Sequence, residues 1–216
     1  MKKSNKDLKK IYENAYASGK ENFFTFDTLD ITDEIVNEIK WQGLSVLEIG
    51  CGIGDTASAI AKSGASSVFA LDYSQNAINT AKNNHRLNNL VFKVGSLEDV
   101  NSSYDCIIMQ EVIEHVDNPF NTIKKLNKHL NNDGHMILTC PSFLNMRGYV
   151  WMTLQLLFDV PMSLSDKHFI SPFDMENWAS ELDLKLSWRT FRHEQAYGSK
   201  MIIDMGKRLK NALKDA

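Results

Sequence analysis

No apolar run in this 216-residue sequence approaches the ~20 residues that a bilayer-spanning helix needs. The longest candidate, YVWMTLQLLFDV at 149–160, reaches about half of that. The start is lysine-rich but has no apolar core segment, so no signal peptide is expected. Cysteine is scarce. Cys51, Cys106 and Cys140 are too few and too far apart for a disulfide framework, and no two have the close spacing of a zinc site. They read as small buried hydrophobes at strand ends, in a reducing compartment, and a cytoplasmic location is the expectation. A basic excess is missing too: a net charge of -3 and a pI near 6.1 argue against a dedicated nucleic-acid binder. The lysines nevertheless crowd both ends, as Lys2, Lys3, Lys6, Lys9 and Lys10, then Lys207, Arg208, Lys210 and Lys214. Solvated helix faces are the plain reading, and a weak contact with anionic lipid or an anionic substrate is the sharper one.

Repeats and low-complexity stretches are absent as well. What the chain does have is alternation of strand and helix patterns, which predicts an α/β fold: a doubly wound, mostly parallel, Rossmann-like sheet of six or seven strands with helices on both faces. Strands are expected at 44–50, 66–72, 90–96, 104–110 and 134–141, the last stopped by Pro141. Helices should follow at 55–64, at 75–87 behind an N-cap Ser74, and at 118–130 with Pro119 in the first turn. Beyond Pro141 the order loosens into a long connection, 142–171, holding an aromatic-rich helix near 145–158. A helix at 171–182, a sixth strand at 183–193 and a closing helix complete the chain, with a seventh strand left open. At this length one domain spanning 1–216 is expected.

The stretch VLEIGCGIGD, 46–55, fits two nucleotide-binding patterns. Gly52, Gly54 and Ala57 satisfy G-x-G-x-x-G/A, and Asp72 follows at the distance expected of the acid that takes ribose hydroxyls; alone, that is a dinucleotide fingerprint. Glu48 pulls the other way. A carboxylate inside the strand, two residues before Gly50, sits poorly beside a pyrophosphate and suits an ammonium group. The glycines also run E-x-G-x-G-x-G through Gly50, Gly52 and Gly54.

With VLEIGCGIGD, ALDYS (70–74) and QEVIEHVDNP (110–119), the chain resembles the class I S-adenosylmethionine-dependent methyltransferases, strongly over 44–141 and loosely elsewhere. The resemblance implies that Asp72 binds the ribose hydroxyls and Tyr73 flanks the adenine. It implies that the Gly50–Cys51–Gly52 backbone approaches the methionine portion beside Glu48, with Gly54 completing the loop and Gln110 lining the pocket. Ser96 and Leu97 occupy the usual adenine-contacting position. Many relatives have an aspartate where Ser96 stands, so Glu98 or Asp99 could serve instead, and an ordinary turn serine is the plain reading of Ser96.

Methyltransferases acting on nucleic-acid amines have an Asn-Pro-Pro-aromatic stretch after strand four; here stand Gln110 and Glu111. The EVIEH segment is similar to ubiquinone-pathway O-methyltransferases. If 111–115 begin a helical turn, Glu111, Glu114 and His115 share one face and could hold a divalent cation; shaping the pocket floor is the plainer role. Methyl transfer needs in-line alignment and a deprotonated nucleophile. His115 is the first candidate base and His168, in DKHFISP, its rival; His193 reads as structural. The resemblance also implies an N-terminal helical cap, 1–40, with Tyr12 and Tyr16 near the methionine carboxylate, and an insert, 142–171, covering the substrate. The expected function is methyl transfer from S-adenosylmethionine to a small-molecule acceptor (a quinone precursor, a sugar or a secondary metabolite), at oxygen rather than nitrogen, by a monomer or homodimer. The alternatives are a non-catalytic cofactor-binding subunit and an NAD-dependent oxidoreductase.

Overall fold

A computed structural model describes residues 9–10, 13–14, 17, 29–159, 166–191 and 198–212. Contacts divide the chain into two compact units, 1–139 and 140–216.

The first unit is built on a five-stranded parallel sheet. Its elements are α1 (Leu29–Val36), β1 (Ser45–Ile49), α2 (Asp55–Lys62), β2 (Ser67–Asp72), α3 (Gln75–Asn84), β3 (Leu90–Val94), β4 (Tyr104–Gln110), α4 (Pro119–Asn127) and β5 (Leu130–Thr139). The strand order is β3-β2-β1-β4-β5, and every pairing is parallel. Burial explains why these sequences make central strands. Val46 and Leu47 point to opposite faces of β1, yet both are fully buried, as are Ile107 and Ile108 of β4. A strand covered on both faces needs a continuous apolar run rather than alternation, and that is what these segments carry. Each such side chain contributes roughly 1.5–3 kcal/mol on burial.

Helix starts follow the expected chemistry. Ser74 caps α3 by accepting the Ala77 N–H, and Asn118 caps α4 by accepting the Asn121 N–H with Pro119 at the first position. β5 begins four residues earlier than the sequence suggested. Its pairing with β4 shifts register between Tyr104 and Cys106, and Asp133 takes a left-handed φ of 59°, so Asn131–Asp133 enter the strand as an irregularity.

The sheet has five strands among the described residues, not six or seven. Residues 184–191 alternate as a strand should but pair with no neighbour. They are largely exposed, and Trp188 Nε1 donates instead to Glu176 Oε1 at 3.1 Å. Alternation becomes a strand only where another strand supplies the ladder. The segment left open for a seventh strand is helical, α7 (Gly198–Ala212).

The second unit also holds α5 (Met146–Phe158) and α6 (Pro172–Glu181). Its small core forms around Phe143 and Trp151, against which Met152, Leu154, Phe169, Met205 and Leu209 pack. Phe143 meets Trp151 edge-on at 6.1 Å and Phe169 at 4.7 Å. The other face of α5 leaves Met146, Tyr149, Leu156, Leu157 and Phe158 exposed.

Candidate active site

The strand order reverses between β1 and β4, which opens a crevice at the carboxyl ends of these strands, where α/β proteins place their ligands. The glycine loop after β1, Asp72 at the end of β2 and Gln110 at the end of β4 border it.

The glycine loop is tied to β2. Gly50 and Cys51 both donate their N–H to the Leu71 carbonyl, at 2.7 and 2.9 Å. Gly52 donates to Asp72 Oδ2 at 3.0 Å, and Gly54 to the Cys51 carbonyl at 2.9 Å. Four amides that a dinucleotide loop could turn toward a pyrophosphate are therefore consumed within the protein. Protein neighbours themselves demand two of the glycines. Gly50 has φ 76° and a Cβ there would lie 2.5 Å from Val112 Cγ2; Gly54 has φ 87° and a Cβ would meet Phe92 Cζ at 2.5 Å.

Carboxylates set the electrostatics. Asp72 is 8% exposed, and its Oδ1 accepts the Ser74 N–H at 2.8 Å while Oδ2 holds Gly52. Burial, with the charge of Glu13 adding, holds its carboxyl above the usual range, and the two amide hydrogen bonds offset only part of that. One lone pair on each oxygen remains for a second donor, as a ribose diol requires. Glu48 is 2% exposed; it accepts the Ala57 N–H, but its Oε2 is buried without a partner. Burial pushes it up to about 8, with the charges of Asp72 and Asp55 adding. An orphaned buried carboxyl oxygen beside a second acid is where a cationic ligand group gains most and an anionic one loses most. The residues present therefore fit a nucleoside carrying an ammonium end. Burial, reinforced by Glu48 and Asp72, drives the Cys51 thiol far up, which removes it as a nucleophile.

Gln110 belongs to a hydroxyl chain that no motif announces. Thr56 Oγ1 donates to Gln110 Oε1 at 2.5 Å and lies 2.7 Å from Thr32 Oγ1. Ser96 Oγ donates to Glu98 Oε2 at 2.9 Å, and Asp99 Oδ2 takes the Ser96 N–H at 2.9 Å. The cap of the short 3₁₀ turn Leu97–Asp99 thus engages Ser96, Glu98 and Asp99 together. Tyr73 stands half-buried between Asp72 and Ser74.

The segment after β4 differs from expectation. Glu111 has a left-handed φ of 53°, and only the tight turn closed by the His115 N–H on the Val112 carbonyl follows it. Its own N–H is shared by the carbonyl and the hydroxyl of Thr139, each at 3.1 Å. A residue in that conformation breaks the helical turn on which a common face of Glu111, Glu114 and His115 depended. Among the described residues Glu111 does not join Glu114 and His115 in a ligating group, while the latter two lie close enough to share an ion. What the turn does bring together is Glu114, 1% exposed, and His115, whose Nε2 lies 3.6 Å from Glu114 Oε1. His168 stands half-buried in the second unit. Tyr12, Tyr16 and His193 lie outside the described residues.

A family model described as a methyltransferase domain matches residues 17–187. The chain belongs to the methyltransferase-domain family. Among curated relatives, this methyltransferase-domain chain is 31% identical over 131 residues to the ribosomal protein L11 methyltransferase of Lactobacillus gasseri, covering 59% of this chain and 41% of that protein. It is 28% identical over 174 residues to the mitochondrial ubiquinone biosynthesis O-methyltransferase of Dictyostelium discoideum, covering 70% and 54%. The chain thus spans about half the length of such relatives, or less. Among solved structures, the magnesium protoporphyrin IX methyltransferase of Synechocystis PCC 6803 with bound SAH matches at 19% identity and a TM-score of 0.65, over 82% of this chain and 89% of that one. That likeness establishes the fold.

Sequence reasoning missed Thr32, Thr56 and Val112 here, and Glu13, whose carboxylate accepts the Gln75 N–H and the Ser74 hydroxyl at the start of α3. Val112 was implicit in the motif spacing, because whatever follows β4 must pass against Gly50; the other three carry no local signature.

Proposed function

We propose that the protein binds S-adenosylmethionine and transfers its methyl group to a small-molecule acceptor, at oxygen rather than nitrogen. One observation carries the reading: the loop's amides are committed inside the protein while Glu48 and Asp72 flank it, which favours a cation-bearing nucleoside over a dinucleotide. Asp72 holds the ribose hydroxyls and Glu48 receives the ammonium group. The Gly50–Cys51–Gly52 backbone forms the wall, with Gly54, Tyr73, Ser96, Leu97 and Gln110 around it. The bound sulfonium supplies an electrophilic methyl group, so the protein's share is alignment, water exclusion and a base. His115 is that base: its imidazole Nε2 lies 3.6 Å from Glu114 Oε1 just past the carboxyl end of β4, beside the pocket. His168 is the second candidate.

Oxygen is favoured because the likeness to the ubiquinone-pathway O-methyltransferase covers 70% of this chain, against 59% for the ribosomal protein L11 enzyme. Residues 1–216 act as one catalytic domain in a reducing compartment, with 1–40 capping the cofactor and 142–171 setting acceptor choice. Calorimetric titration with S-adenosylhomocysteine, with NADH as control, tests the reading. Micromolar binding of the first and none of the second supports it; the reverse returns Gly52, Gly54 and Ala57 to a dinucleotide.

A further inference from the structure

The hydroxyl chain at the end of β4 has a direction, and that direction decides what Gln110 offers the pocket. Thr56 Oγ1 lies 2.5 Å from Gln110 Oε1 and 2.7 Å from Thr32 Oγ1. Both threonines are buried, so each hydroxyl finds its partner inside the protein. An O–H···O bond reaches down to roughly 2.5 Å, whereas N–H···O stays at roughly 2.7–3.2 Å. The Gln110 atom facing Thr56 is therefore its oxygen, which only accepts. Thr56 gives its one proton to Gln110, and Thr32 must then give its own to Thr56. The two hydroxyls form a one-way chain from α1 through α2 to β4, each bond polarising the next.

That chain leaves the Gln110 Nε2 with two N–H bonds directed elsewhere. Among the described residues nothing accepts them. Glu48 and Ile108 are register partners in adjacent parallel strands, and Gln110 stands two residues beyond Ile108. Side chains two residues apart share a face of the sheet, so Gln110 and Glu48 lie on the same face. Both meet the first turn of α2, Glu48 at the Ala57 N–H and Gln110 at the Thr56 hydroxyl. A pair of donors thus stands one strand over from the unpartnered Glu48 Oε2.

The amino-acid end of S-adenosylmethionine carries a carboxylate on the same carbon as its ammonium group. An ammonium held at Glu48 brings that carboxylate among acids, where it needs hydrogen-bond donors. The amides of Gly50, Cys51, Gly52 and Gly54 are already engaged inside the protein. A lysine or arginine at the end of β4 would pair with Glu48 and displace the ammonium; a neutral amide does not compete. We propose that Thr32 and Thr56 are positioning residues: their hydroxyl chain holds the Gln110 amide with its N–H bonds toward the pocket, where they bind the carboxylate of the cofactor's amino-acid end. The proposal rests on the reading that Glu48 receives the ammonium group.

The test compares S-adenosylmethionine with decarboxylated S-adenosylmethionine, which lacks only that carboxylate, by calorimetry on the full chain. Gln110→Leu should weaken S-adenosylmethionine about tenfold or more and leave the decarboxylated nucleoside unchanged. Thr56→Val should weaken it roughly threefold, and Thr56→Ser, which keeps the hydroxyl, should bind as wild type does. The double variant Thr32→Val with Thr56→Val leaves no buried hydroxyl without a partner and should match Thr56→Val alone. Equal weakening of both nucleosides overturns the carboxylate role, because a merely structural part would not tell them apart. The hydroxyl chain has its own readout with no ligand present: the side-chain amide resonances of Gln110 in isotope-labelled protein. They should move in Thr32→Val, a residue linked to Gln110 only through Thr56. Resonances unmoved by both Thr32→Val and Thr56→Val overturn the chain, whether or not the wild-type protein binds S-adenosylmethionine. Moved resonances in a protein that binds neither nucleoside overturn the functional reading, and the carboxylate assignment with it.

Discussion

Asp72 and Gly52, twenty residues apart, are joined by a 3.0 Å hydrogen bond from the loop amide to the carboxylate. The acid proposed for the ribose is thus also the post to which the glycine loop is moored. Asp72→Asn keeps an acceptor for one of its two amides but loses the charge. Its affinity for S-adenosylhomocysteine should fall roughly 10- to 100-fold, the range for a lost charged hydrogen bond. Calorimetry checks this; affinity within experimental error of wild type would remove Asp72 from the ribose role.

Glu48 makes stability depend on pH. Its folded value is pushed up to about 8, above the ordinary glutamate range, chiefly by burial. The folded protein therefore holds a proton that the unfolded chain releases. The contribution is complete below about pH 4.5 and is lost as pH rises toward 8, at up to about 1.4 kcal/mol per pH unit. Glu48→Gln should flatten that slope. Urea unfolding of the unliganded protein at pH 5, 6, 7 and 8 measures it, and parallel slopes in the two proteins would contradict the assignment.

Gly50→Ala meets two obstacles, the φ of 76° and Val112 Cγ2 at 2.5 Å. It should destabilise the protein by roughly 1–3 kcal/mol. Val112→Ala in the same chain removes the collision but not the backbone strain, so the double variant should recover only part of the loss. Additive losses in denaturant titrations would show that the two residues do not meet.

His115→Ala should lower turnover about 100-fold or more, with the affinity for S-adenosylhomocysteine unchanged, on whichever acceptor a panel of catechols, sugars and quinone precursors supplies. His168→Ala run beside it discriminates the two candidates. Full turnover by His115→Ala would end the base assignment.

The features legible in the sequence share a physical origin: short-range pattern. The parallel strands show as apolar runs in β1, β2 and β4, the helix starts as Ser74, Asn118 and Ser171, and Asp72 as an acid closing a strand after a glycine loop. What escaped depends on partners distant in the chain. Glu13 completes a cap over sixty residues away, and Thr56 is an unremarkable second residue of α2 until Thr32 and Gln110 meet it. Glu111 is the reverse case. Glutamate has no local preference for the left-handed region, and the doubled anchorage of its N–H on Thr139, distant in the chain, holds the turn that separates it from Glu114 and His115. The sixth strand expected at 183–193 finds no ladder among the described residues.

The strand order has a consequence for synthesis on the ribosome. β1 lies between β2 and β4, so it is the middle of the finished sheet but the first strand to emerge. β2 covers one of its edges soon after, while β4 is complete only some 60 residues later, roughly 3–12 s at ordinary elongation rates. Through that interval a nascent strand as apolar as Val46–Leu47 keeps one row of amides and carbonyls open to any passing chain. That edge closes only when Val46–Glu48 pair with Cys106–Ile108 of β4.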